Sequence, residues 1–205
     1  MTLWAIVPVK PLQRSKSRLG KVLSREQRVA LSQSMLIHTL ETLAQTPGID
    51  RVLVVSRDSR ALALARQHGA RTVMEQESPT LNRALSRATI LARGYNVSSV
   101  LILPADLPLL TAQDISALLE AGRTPPVVVI SPDRRGGGTN ALLCTPPGII
   151  DYAFGPHSFA RHIEQAREAE ARVELCSLPS LAFDLDVPED LEFLRMQLGE
   201  TAMIS

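Results

Sequence analysis

Seven short apolar runs punctuate the chain, at residues 3–9, 51–56, 71–74, 99–103, 127–131, 139–144 and 172–177. Several, such as Val52-Leu53-Val54-Val55 and Val100-Leu101-Ile102-Leu103, are continuously apolar rather than alternating. Strands read that way when both faces are covered, as in a parallel sheet between layers of helix. Helical periods fill the intervals. Ser24 and Gln27 have the spacing of a capping box, and Leu36, Leu40 and Leu43 carry that helix to about residue 45, before Pro47-Gly48. Leu81, Leu85, Ala88 and Ala92 mark a second helical face that ends near Gly94. Thr111 and Asp114 repeat the capping pattern, with aspartate in place of the usual glutamate. Ser158 is expected to cap a helix running to about residue 170, and Pro188 suits the first turn of a last one. Strand and helix in alternation predict an α/β fold with a mostly parallel sheet flanked by helices. The Gly- and Pro-rich stretches 132–138 and 145–158 interrupt the alternation and are read as loops or a small hairpin insertion. No linker or repeat divides the 205 residues, so a single domain over 1–205 is expected.

Composition removes several function classes. Lys and Arg number 22 against 21 Asp and Glu, a net charge of +1, which argues against a nucleic-acid partner. No apolar run approaches the roughly 18–20 residues of a membrane span, and no basic segment leads into a signal-peptide cleavage site. Cys144 and Cys176 both lie in apolar runs and are read as reduced, buried thiols of a cytoplasmic protein. There is no Cys/His metal spacing, Walker loop, GxGxxG in the first strand-to-helix turn, GxSxG or HExxH.

In open sheets of this kind ligands bind beyond the carboxyl ends of the strands, so residues that follow strand runs carry the interest. After the first run, seven basic residues and one acid fall between Lys10 and Arg28. Lys10, Lys16 and Arg18 precede the helix, where they can neutralise a polyphosphate; the alternative is a solvated basic face. After the fourth run, Asp106 stands between Pro104 and Pro108 on a rigid turn, and a hard cation such as Mg²⁺ takes one or two such carboxylates plus phosphate oxygens. Asp184 and Asp186, two apart in an extended segment, can complete a metal site; Glu189 and Asp190 read as acids at a helix N-terminus. Gly136-Gly137-Gly138-Thr139-Asn140 offers backbone N–H groups and two polar side chains for close approach to a ligand. Gly155 and Ser158 offer an anion site at a helix start. His157 and His162 are five apart, a poor spacing for two ligands of one zinc. Cations, carboxylates and glycine loops without a nucleophile–base pair suit phosphoryl or nucleotidyl transfer.

These stretches together bear a resemblance. Trp4–Pro11, Lys16–Leu19, Thr80–Leu85, Pro104–Leu110, Pro132-Asp133, Gly137–Leu142, Phe154-Gly155, Ser158-Phe159, His162 and Asp184–Leu191 carry it, over about residues 3–195. The chain resembles the 2-phospho-L-lactate guanylyltransferase family of coenzyme F420 biosynthesis, whose bacterial branch is described as phosphoenolpyruvate guanylyltransferase. The resemblance implies a Rossmann-like, glycosyltransferase-A-like nucleotidyltransferase fold. It implies GTP as donor, Mg²⁺ as cofactor, pyrophosphate as product and a small phosphorylated three-carbon acid as acceptor. By position it implies acceptor binding at Thr139, Asn140, Gly155 and Ser158, and Mg²⁺ on Asp106 with Asp184 or Asp186. Pro8, Lys10 and Lys16 contact the nucleotide, with Leu81 and Asn82 near its guanine or ribose, and Lys10, Lys16 and Arg18 act in catalysis. Val187 departs from the threonine expected there; valine cannot cap the last helix, whose N-terminus is therefore expected to fray. Two rivals stay open: another nucleotidyltransferase of the same fold, acting on molybdopterin or a sugar phosphate, and a non-catalytic nucleotide-binding module. So do the choice between phosphoenolpyruvate and 2-phospho-L-lactate, and the oligomeric state, a homodimer being one option.

Overall fold

A computed structural model describes residues 2–75 and 80–198; Met1, 76–79 and 199–205 of the expected domain lie outside the described residues. Seven strands form one sheet in the order β3-β2-β1-β4-β6-β5-β7. They are β1 Leu3–Val9, β2 Arg51–Ser56, β3 Arg71–Met74, β4 Ser99–Ile102, β5 Val127–Pro132, β6 Thr139–Thr145 and β7 Arg172–Leu175. β6 runs antiparallel to both its neighbours, and every other pairing is parallel. The apolar runs therefore mark the strands, and β5 with β6 forms the hairpin expected around 132–138.

Helices cover both faces: α1 Arg25–Gln45, α2 Ser59–Gln67, α3 Leu81–Arg93, α4 Ala112–Ala121, α5 Ser158–Glu168, α6 Pro179–Ala182 and α7 Pro188–Leu198. In β1, Leu3, Ala5 and Val7 pack toward α1, α2 and α4, while Trp4 and Ile6 pack toward α3 and α5. Burial on both faces is why β1 is apolar throughout. A smaller cluster of Leu19, Met35, Phe183, Leu185, Leu191 and Leu194 closes the end where α7 meets the first loop. Both capping boxes form: Gln27 N–H donates to Ser24 Oγ at 3.2 Å and Ser24 N–H to Gln27 Oε1 at 2.8 Å. The Thr111–Asp114 pair does the same at 3.2 and 2.7 Å, so aspartate serves where glutamate is usual.

Ser158 corrects an expectation. It is the first residue of α5 rather than its cap; His157, at φ +59°, holds the cap position, with no side-chain bond to the helix. The turn Gly155-Pro156-His157, with Gly155 at φ +126°, starts the helix one residue early and leaves the buried Ser158 hydroxyl off its own helix end. α5 also stops at Glu168, short of residue 170. Both cysteines are free; Cys144 is buried, its thiol pushed up to about 12 by burial, but Cys176 just past the β7 edge strand is half-buried. No described helix is long and apolar enough to cross a membrane.

Candidate active site

β1 to β4 are parallel, so the segments that follow them meet at one edge of the sheet. Because β6 is antiparallel to β4, with Ile102 opposite Leu142, its first residues reach that same edge. A cavity of about 520 Å³ opens there. Its wall includes Ser32, Val55, Arg57, Glu75 and Ile102, which the sequence did not single out for a site, and also Pro8, Lys10, Lys16, Leu81, Asp106, Thr139, Asn140, Gly155, Ser158, Asp184 and Asp186. The sequence nominated these last eleven. Two further nominees do not line it. Arg18 stands at the rim, 68% exposed, with its guanidinium 3.9 Å from Asp186. Asn82 spends its amide on the backbone of Phe154, accepting from the N–H at 2.8 Å and donating to the carbonyl at 3.2 Å.

Lys16 sits at the centre. Its backbone is left-handed, φ +51°, which turns the side chain inward until it is 6% exposed. The ammonium lies 3.1 Å from Asp106 and 3.1 Å from Asp186. Burial alone would push its pKa down; the two carboxylates outweigh that and hold it up. Burial likewise works against the Asp186 charge, but Lys16, Lys10 and Arg18 together hold its carboxyl low. Asp184 has no such cation, and burial plus the charges of Asp106 and Asp186 push it up. Its Oδ1 is 3.5 Å from the Asn140 amide.

The segment carrying these aspartates is tied down from several sides. Asn140 donates to the carbonyls of Leu181 and Ala182 at 2.9 and 3.2 Å, so this nominee also has a structural task. Leu185 N–H donates to the Asp106 carbonyl at 3.1 Å. Asp190 is an acid of the first turn of α7, as expected, and it is also buried, pairs with Arg134 at 2.6 Å, and accepts the N–H groups of Asp186 and Val187 at 2.9 Å each. It thereby supplies the reciprocal half of a capping box, which secures the helix start that Val187 was expected to leave frayed.

The glycine loop owes its shape to Asp133. Gly137 N–H donates to Asp133 Oδ1 at 2.9 Å, and a Cβ on Gly138 would fall 2.5 Å from Asp133 Oδ2. Of the three glycines, Gly138 lines the cavity. Thr139 follows, and behind it lies His162, a fully buried residue with no role from sequence spacing. His162 Nε2 accepts the Ala153 N–H at 3.0 Å, so in the neutral ring Nδ1 carries the proton. Nδ1–H then donates to Thr139 Oγ1 at 3.0 Å and leaves the threonine proton for another acceptor. Burial, then the Arg161 charge, lowers the His162 pKa to about 4. Arg161 donates to the carbonyls of Ala153 and Pro156 at 2.8 and 2.7 Å. The loop before Ser158 is thus held by three side chains, Asn82, Arg161 and His162.

Among the described residues no three or more His, Cys, Asp or Glu side chains converge to hold a metal unaided. The donor set still fits a hard divalent cation. Mg²⁺ commonly takes one or two protein carboxylates and completes its shell with phosphate oxygens and water. Asp106 and Asp186 are near enough to share one ammonium, with Asp184 electrostatically coupled to both.

The fold has solved counterparts. A Desulfovibrio desulfuricans protein assigned to the nucleotide-diphospho-sugar transferases superposes with TM-score 0.78 at 16% identity, covering 98% of this chain and 90% of that one. CMP:2-keto-3-deoxy-manno-octonic acid synthetase, solved with CTP, gives 0.65 at 13%, covering 98% and 99%. Sequence similarity is closer. The phosphoenolpyruvate guanylyltransferase of Rubrobacter xylanophilus is 45% identical over 199 residues, 97% of this chain and 96% of the relative. That of Conexibacter woesei is 40% identical over 196 residues, 95% and 88%. The 2-phospho-L-lactate guanylyltransferase of Methanothermobacter thermautotrophicus is 36% identical over 192, 93% and 83%. The model of the CofC-like guanylyl transferases matches residues 3–203. A crevice that sets cations and carboxylates beside a donor-lined pocket, on a nucleotidyltransferase fold, agrees with that match, and the chain belongs to the CofC-like guanylyl transferase family.

Proposed function

We propose that this enzyme transfers GMP from GTP to the phosphate of phosphoenolpyruvate, releasing pyrophosphate, as a cytoplasmic step in making coenzyme F420. The supporting observation is a single cavity that joins three environments: an apolar lobe, a centre of lysines and aspartates, and a lobe of hydrogen-bond donors. The relatives of 40–45% identity carry the phosphoenolpyruvate name, which favours that acceptor over 2-phospho-L-lactate.

The acceptor phosphate is ionised at neutral pH, so no general base is required. One of its oxygens forms a bond to the α-phosphorus of GTP as the bond from that phosphorus to the bridging β-phosphate oxygen breaks, and pyrophosphate leaves with the electron pair. The obstacle is the approach of two anions, and charge neutralisation at the reacting centre does most of the work. Lys10 and Lys16 supply it from the cavity wall, and Arg18 from the rim. Asp106 with Asp186 or Asp184 would hold Mg²⁺, which would supply further neutralisation of the triphosphate. Thr139, through the proton that His162 leaves available, and Ser158 at the start of α5 hold the acceptor's anionic groups.

The test is an acceptor panel with GTP and Mg²⁺, read by mass spectrometry. A GMP adduct of phosphoenolpyruvate with release of pyrophosphate is expected. Turnover confined to 2-phospho-L-lactate or 3-phospho-D-glycerate would replace the acceptor, and no adduct with any phosphorylated acid would overturn the reading.

A further inference from the structure

Glu75 lines the cavity, and neither catalysis nor acceptor binding has a use for it. It follows β3 directly, its N–H donating to the Ser56 carbonyl at 3.0 Å. The side chain is 5% exposed, and Oε2 accepts from Arg87 Nη1 of α3 at 3.1 Å. The two elements that hold Glu75 also give the cavity wall Val55, Ser56 and then Arg57 at the end of β2, and Leu81, Ala84 and Leu85 from α3. Arg87 is its one ion-pair partner among the described residues. The three cavity aspartates belong instead to the charged centre, around Lys16.

The charges decide what this lobe takes. A triphosphate or a phosphorylated acid gains nothing from a carboxylate already paired with Arg87, and both have cations and donors to meet at the lysines and in the Thr139–Ser158 lobe. What remains of a nucleotide is its base, a flat body whose faces suit apolar walls and whose edge needs hydrogen-bond partners. A carboxylate only accepts. Guanine alone among the common bases sets two donors side by side, the N1–H and the exocyclic N2–H₂, matching two carboxylate oxygens. Adenine offers a lone pair at N1 and cytosine one at N3, each of which a carboxylate repels.

We propose that Glu75 reads the guanine edge and so selects the nucleotide, with Arg87 holding the carboxylate in place. The inference rests on the donor being a guanine nucleotide. It is tested by direct binding of GTP, ITP and ATP to the whole protein with Mg²⁺ and no acceptor, by titration calorimetry. ITP is GTP without the N2 amino group. A charge-assisted hydrogen bond makes about a tenfold to hundredfold difference, so the native protein is expected to prefer GTP to ITP by that much. Glu75→Gln keeps size and an acceptor for Arg87 but presents an NH₂ to the base. The GTP/ITP ratio should fall toward one, with the melting temperature little changed. Equal weakening of GTP and ITP, or an unchanged ratio, in a folded Glu75→Gln protein overturns the assignment and leaves the guanylyl reading intact. A native protein that binds ATP as well as GTP overturns both.

Discussion

Thr139 and His162 work as a unit in which one residue faces the cavity and the other sets its proton. Thr139→Val keeps the shape and removes the donor, so the KM for the acceptor should rise by about tenfold or more while that for GTP changes little. Ser158→Ala should act in the same direction; steady-state kinetics with each substrate varied checks both, and a selective loss of GTP binding would move these loops to the nucleotide side. His162 gives a pH signature. Its ring takes up a proton near pH 6.5 in an unfolded chain but only at about 4 in the fold. The unfolded state therefore binds more protons between those values, and stability falls as pH falls through that window, by up to about 3 kcal/mol. His162→Asn removes that dependence, so the native protein's margin over the variant should shrink between about pH 7 and about pH 5 in urea denaturation. At the charged centre, Asp106→Asn should cut turnover by orders of magnitude with the fold intact. Lys16→Ala should cost far more rate than Arg25→Ala, because Lys16 is enclosed by two carboxylates while Arg25 is an exposed residue of α1. Equal effects of those two substitutions would reduce the basic loop to a charged surface.

The ends of elements, more than their middles, build this site. The left-handed turn at Lys16, the β4 exit at Asp106, the β6 entry at Thr139 and the α5 entry at Ser158 all converge. α7 contributes by anchoring the strip before it. Asp190 Oδ2 accepts two backbone N–H groups of that strip while Oδ1 pairs with Arg134, whose guanidinium also lies 5.3 Å over the Phe183 ring. Asp190→Asn should cost about 2–4 kcal/mol, since it removes the charge from a buried, fully bonded acceptor. Arg134→Met should cost less, because the arginine is half-exposed and the two backbone bonds to Asp190 survive. Denaturant unfolding separates the two; equal losses would mean that the ion pair rather than the backbone clasp secures the strip. The caps of α1 and α4 are legible in the sequence because Ser24 and Thr111 announce them. The backbone bonds of the Asp190 clasp are as local, but Val187 offers no capping side chain to mark them, and the arginine is 56 positions away.

At the scale of the whole molecule, the cavity draws its walls from Pro8 through to Asp186, so occupancy should be felt by the entire fold. GTP with Mg²⁺ at about one hundred times its Kd should stabilise by about 2.7 kcal/mol, seen as a raised melting temperature, and a melting curve indifferent to GTP would speak against this crevice as the nucleotide site. The amino-acid sequence by itself determined the strands and most helices. Burial on both faces of a strand requires a continuous apolar run, and caps and periods are local, so each is written within a few residues. It also nominated the charged centre and the donor-bearing loops of the cavity, because ligands in such sheets meet the residues that follow strands. The tertiary structure decided what those residues do to one another. Only chain pairing sets β6 antiparallel, which turns its first residues rather than its last toward the cavity. Only packing brings Lys16 between carboxylates 90 and 170 positions away, hides His162 behind Thr139, and buries Glu75 in the cavity wall. Such contacts depend on register and layer order, which are long-range properties with no local period to record them.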